Sequence, residues 1–136
     1  MLRPGITLKQ AEKLLRSKLR TSEDRPLEAF CDFVYPSRGH DGLSLMIQNG
    51  VVTHIEAHKS GVLTKSGAGV GDSTAKLKRL FGKALEIEQH KYDDSGFYYY
   101  VWEKNRRRGV KFEIGGDRVV AIYAGSETIM LVEGCS

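Results

Sequence analysis

The chain has 136 residues, 40% hydrophobic and 28% charged, with 15 glycines and 3 prolines, a length at which one core buries roughly two thirds of the surface the unfolded chain exposes. No apolar run approaches the roughly 20 residues of a membrane-spanning helix, so one soluble domain over 1–136 is expected. The 21 basic and 17 acidic side chains give a formal net charge of +4, which favours acidic partners, but they are interspersed and form no dense stripe of the nucleic-acid-binding kind.

Met1 to Leu8 carries no apolar core segment of the sort export requires, so the chain reads either as cytosolic or as the processed form of an exported protein. A helix is expected to open after Gly5, with Thr7 as N-cap, because its hydroxyl can accept a bond from an orphan backbone N–H. Ala11, Leu14, Leu15 and Leu19 follow at the three- and four-residue spacing of one helix face. Ala29 to Tyr35 reads as a strand. Leu43, Leu45 and Ile47 follow as inward positions of period two in a hairpin whose tip is Gln48-Asn49-Gly50.

After a Gly- and Ser-rich linker the pattern returns. Gly5 to Leu19 lies over Gly71 to Leu85 without a gap, with Ser73 in place of Thr7 and Leu77, Leu80, Phe81 and Leu85 on the apolar face. Gly42 to Ala57 lies over Gly109 to Ala124, where Val110, Phe112 and Ile114 are the inward positions and Gly115-Gly116-Asp117 is the tip. Further strands are expected over Leu85 to Lys91, Phe97 to Glu103 and Thr128 to Glu133. The fold predicted is α+β: two tandem repeats, about 5–58 and 69–134 with a linker at 59–68, each a helix plus antiparallel strands. Together they form a twisted sheet with both helices on one face and the other face partly open.

The only cysteines are Cys31 and Cys135. A bridge between them would close most of the chain, stabilise it by about 4 to 5 kcal/mol on loop-closure arithmetic, and require an oxidising compartment; two buried free thiols in a cytosolic protein are the alternative.

Several constellations bear on chemistry. Ser66 to Ser73 is glycine-rich and precedes a helix, as phosphate loops do, but no Lys-Ser/Thr pair ends it and no buried strand leads into it, so it reads as a linker with a cap. His54 and His58 share a strand face and His40 adjoins Asp41, yet zinc-ligand spacing is missing. No metal and no cofactor are expected. A Cys-His or Ser-His-Asp set could still meet in space, which keeps a small hydrolase with a cleft between the repeats as an alternative. The aromatic strand Phe97 to Trp102 runs into Lys104-Asn-Arg-Arg-Arg108. Strand parity puts Tyr98, Tyr100 and Trp102 on one face and Phe97, Tyr99 and Val101 on the other. The first set is expected to form an exposed platform, with Arg106, Arg107 and Arg108 as its basic rim. Single-stranded nucleic acid would suit the same rings and arginines and is the runner-up partner.

Gly5-Ile-Thr-Leu-Lys-Gln-Ala-Glu-Lys-Leu-Leu and Gly69-Val-Gly-Asp-Ser-Thr-Ala-Lys-Leu-Lys-Arg-Leu-Phe-Gly resemble the Gly-x-Thr/Ser helix openings of the tandem-repeat beta-lactamase inhibitory proteins, and more distantly the small lipoproteins of the barrel-assembly machinery. Val132-Glu-Gly-Cys-Ser136 resembles the ending of small exported bacterial proteins of unassigned function. The resemblance implies a non-catalytic, exported protein whose open sheet face grips another macromolecule. Taken with the aromatic and basic segment, the expectation is a periplasmic or secreted protein that binds another protein at an acidic patch and inhibits it by occlusion. Those inhibitors carry a disulfide in each half, whereas Cys31 and Cys135 would here join the halves.

Overall fold

The structure, a computed structural model, describes residues 2–27, 30–61, 64, 66–90, 96–104, 107–126 and 129. Helix α1 (Leu8–Leu15) starts where expected. The Thr7 hydroxyl accepts the Gln10 backbone N–H at 3.2 Å and the Gln10 side chain accepts the Thr7 N–H at 2.9 Å, a reciprocal capping box. It stops earlier than the periodicity predicts, because Arg16 takes a left-handed conformation (φ 53°) and returns its N–H to the Glu12 and Lys13 carbonyls. Leu19 therefore falls in a two-residue strand, β1 (Leu19–Arg20). Helix α2 (Thr74–Phe81) is capped by Ser73, whose hydroxyl accepts the Lys76 N–H at 3.1 Å, and ends at Gly82. Leu14 and Leu80, expected on the buried faces, are exposed; Ala11, Leu15 and Leu77 are the helix positions that reach the core.

The remaining strands are β2 (Asp32–Pro36), β3 (Leu43–Gln48), β4 (Val51–Ala57), β5 (Glu86–Gln89), β6 (Phe97–Trp102), β7 (Gly109–Gly115) and β8 (Arg118–Gly125). Each glycine-bearing tip turns in two residues with positive φ, 51° and 81° at Asn49 and Gly50, 57° and 60° at Gly116 and Asp117, the combination whose twist matches the strands it joins. All eight strands form one antiparallel open sheet in the order β1-β2-β3-β4-β8-β7-β6-β5. The seam between the β3–β4 and β7–β8 hairpins is the β4–β8 pairing, four residues from His54↔Gly125 to Ala57↔Ile122.

Both helices cover the same face. Ala11 and Leu15 pack with Val34, Leu43, Leu45, Ile47 and Val52, while Leu77 packs with Tyr99, Phe112, Ile114, Val119 and Ile122. The inward positions read from period two are thus core, with Val110 partly buried against the same cluster. Among the described residues of 59–68 no helix or strand forms. Of the strand expected over Thr128 to Glu133 only Ile129 lies within the described residues. No described helix is long and apolar enough to cross a membrane.

Candidate binding face

Strand parity in β6 holds. Tyr99 and Val101 join the core beneath α2, and Tyr98, Tyr100 and Trp102 project from the helix-free face. Cross-strand registers carry that face across the sheet in rows. One runs Ser44, Glu56, Tyr123, Lys111, Tyr100, Glu86; the next runs Met46, His54, Gly125, Gly109, Trp102.

An open tyrosine platform is not what the structure presents. Tyr98 and Tyr100 are 5% and 4% exposed, and Trp102 is half-buried. The cause lies beyond β8. Ile129, its N–H bonded to the Ser126 carbonyl at 3.0 Å, returns over the sheet, is itself fully buried, and packs with both tyrosines. Two glycines make room. A Cβ on Gly125 would stand 3.2 Å from Ile129 Cγ2, and one on Gly109 would stand 2.6 Å from Cε3 of the Trp102 ring. Trp102 in turn stacks parallel on Tyr100, centroids 6.0 Å apart and planes 2° apart. Arg107 and Arg108 are exposed and directly precede Gly109, the cross-strand partner of Trp102, and Arg108 Nη2 lies 3.0 Å from where a Cβ on Gly5 would be. Arg106 lies outside the described residues.

The middle of the face is a polar network. Lys111, 3% exposed, holds its ammonium over the Tyr98 and Tyr123 rings at 4.9 and 4.5 Å, a contact strengthened by desolvation. The Tyr123 hydroxyl donates to Glu113 Oε1 at 2.8 Å, and His90 Nε2 lies 3.2 Å from Glu113 Oε2 while its ring stacks on Tyr98 at 4.5 Å. On the other flank Glu56 sits between two histidines, His58 Nε2 3.1 Å from Oε2 and His54 Nε2 3.2 Å from Oε1. His54 is 1% exposed, and its contact is out of hydrogen-bonding geometry, so neither ring nitrogen has a hydrogen bond among the described residues.

Burial pushes Tyr100 up to about 12, with the Glu88 charge and Tyr98 adding to it. Tyr123 is pushed up as well, by burial first and then by its bond to Glu113. Both phenols are therefore protonated donors at neutral pH. Burial also pushes Glu56 up, but its contacts with His54 and His58 outweigh that, and the carboxyl settles below the usual 4.5. A depressed folded pKa stabilises the fold above the unfolded value and ceases to do so as pH falls through the folded one. The stability gap between wild type and Glu56→Gln is therefore expected to shrink below pH 4.5, as read by urea denaturation at stepped pH; a gap unchanged by acidification would contradict the pairing.

The remaining sequence candidates fall elsewhere. In the glycine-rich segment, Gly69 N–H is bonded to the Asp72 carboxylate at 2.8 Å and Gly71 N–H to the Val119 carbonyl at 2.8 Å, which puts an acid where a phosphate would need amides. Among the described residues no group of three or more His, Cys, Asp or Glu is arranged to hold a metal ion. None of the described cysteines is free, and Cys135, the partner expected for Cys31, lies outside the described residues.

The β5–β8 registers bring Glu113, His90, Tyr123 and Lys111 into this network, which sequence reasoning missed. Its signal was present: with Phe112 and Ile114 inward, Lys111 and Glu113 must share the face of Tyr98 and Tyr100. Comparison of the chain with protein-family models, with curated proteins and with solved structures finds no match.

Proposed function

We propose that the protein is a non-catalytic, extracytoplasmic binding module that occludes another protein with the rim of its helix-free face. The observation that carries this reading is the end of the aromatic row. Trp102 is half-buried and fixed by stacking on Tyr100, and the exposed Arg107 and Arg108 directly precede Gly109, its cross-strand partner. A rigid aromatic has a low ordering cost, and arginines in the loop that leads into the neighbouring strand can recognise carboxylates in bidentate fashion, as binding hot spots do. Tyr98 and Tyr100 then serve as the buried support of Trp102, and the partner is a protein with an acidic patch.

Two tandem repeats are part of the same proposal. Support comes from the strand order, which runs β4-β3-β2-β1 and β8-β7-β6-β5 outward from the central seam. Further support comes from the hydroxyl-capped helices and from register shifts at matching places, Met46/Ile47 and Glu113/Ile114. A Cys31–Cys135 bridge would tie the repeats together and goes with the proposed oxidising compartment.

The test is to cross-link the protein in an extracytoplasmic fraction, identify the partner, and measure its affinity with purified components. Trp102→Ala and Arg107→Glu are each expected to weaken binding at least about tenfold while the far-ultraviolet dichroism stays unchanged. Equal affinity in both variants would sink the assignment.

A further inference from the structure

A cavity of about 310 Å³ opens between β2, the 37–42 loop and the end of β4. Four strands separate β2 from the strand that carries Trp102, so this site stands independently of the rim. Its volume sits at the bottom of the range of about 300 to 1,000 Å³ typical of ligand pockets, right for a small ligand or one long side chain. Tyr35 forms an aromatic wall and is 42% exposed; Asp41, Ser44, Glu56 and His58 supply the polar lining.

The chemistry of that lining selects a cation. Glu56 and Asp41 bring two carboxylates to one cavity, which disfavours an anion by like-charge repulsion and desolvation. An ionised carboxylate offers about four acceptor sites. On Glu56, Oε2 meets His58 at 3.1 Å and Ser44 Oγ at 3.5 Å, while among the described residues Oε1 has only the poorly aligned His54 beside it. Acceptor capacity is therefore left over, held in place by neighbours that are themselves buried: Ser44 is 6% and His54 1% exposed. Charge-assisted donors are what such an acceptor binds most strongly, and a tyrosine face beside it attracts an organic cation. The His40 ring is engaged elsewhere, its Nε2 3.1 Å from the Leu15 carbonyl. Lys59, whose stem packs against Gly42 at the mouth, is the chain's own cation bordering the site.

We infer that this cavity binds an ammonium or guanidinium group, with Glu56 as the principal acceptor, Asp41 as the second charge and Tyr35 as the aromatic wall. The group arrives either on a free polyamine or on a lysine or arginine side chain. The test follows backbone amide shifts of Gly39, Gly42, Ser44 and His58 by ¹H–¹⁵N NMR during titration with N-acetyl-arginine amide, its neutral citrulline analogue, and spermidine. Saturable shifts with the two cations and none with citrulline are expected. Glu56→Gln should weaken binding at least about tenfold. Asp41→Asn, a change at an exposed position, should weaken it less and covers the case in which Glu56→Gln disturbs the fold. Tighter binding of spermidine would point to a free amine as the source, tighter binding of the arginine derivative to a side chain. Absence of saturable shifts, equal shifts with citrulline, or unchanged affinity in Asp41→Asn and Glu56→Gln together would overturn the inference.

Discussion

Gly125→Ala is expected to destabilise the protein by about 2 to 3 kcal/mol, through steric overlap at a site with no room to relax. The added Cβ would stand 2.6 Å from the Thr53 carbonyl oxygen and 3.2 Å from His54 Cα, both backbone atoms of β4, and 3.2 Å from Ile129 Cγ2. A flexible side chain could turn aside, but backbone can retreat only by opening the β4–β8 seam. His54↔Gly125 is the first of the four pairs that join the two hairpins, and the Thr53 carbonyl also accepts the Ser126 N–H at 3.4 Å. The substitution thus strains the sheet and lifts Ile129 off the tyrosines. Urea denaturation should show a lower midpoint, and Tyr98 and Tyr100 should become more accessible to nitration. As a control, Gly115→Ala meets only Val120 Cγ1 at 3.4 Å, an ordinary contact, and should change stability far less. Equal effects of the two substitutions would mean that the seam is not packed as described.

Phe112→Ala should cost more, about 3 to 5 kcal/mol, the range for removing a fully buried aromatic ring. Phe112 has no exposed surface, meets the Phe81 ring of α2 at 5.7 Å, and lies in the cluster that includes Leu77, Tyr99, Ile114 and Val119. Its ring is therefore what seats the second helix on the sheet. Domains of this size are stable by only about 5 to 15 kcal/mol, so the variant should be close to unfolding at room temperature. The denaturation midpoint should fall with an unchanged slope. A loss below about 1 kcal/mol would show that α2 is held by something other than this contact.

Of the two positions, Phe112 had a local role readable in the sequence and Gly125 did not. Period two marked Phe112 as inward, and the glycine-bearing tips marked both hairpins, because positive φ in a two-residue turn leaves a compositional trace at Asn49-Gly50 and Gly116-Asp117. Thr7 and Ser73 announced the helix starts because a cap needs a side-chain oxygen to accept an orphan backbone N–H. The end of α1 left no such trace, since it is an arginine, not a glycine, that adopts the left-handed conformation. The fate of Tyr98 and Tyr100 was also hidden. Parity gave their face, but Ile129, which packs on both rings, lies beyond β8 and has no periodicity to read. His54 in β4 and His58 just past its end were readable as sharing one face. That His54 would be sealed while His58 stayed exposed depends on the seam with β8, a contact between distant parts of the chain.

The central claim is that recognition occurs at the Trp102 end of an otherwise closed aromatic row. Trp102 is the only tryptophan in the chain, so its fluorescence reports that one place. The decisive measurement is iodide quenching of its emission with and without the captured partner, repeated in Arg107→Glu. Binding at the rim predicts that the partner shields Trp102 from iodide, and that the charge reversal abolishes the shielding at the same partner concentration. A bound partner that leaves quenching of Trp102 unchanged would place recognition elsewhere on the protein and contradict the account.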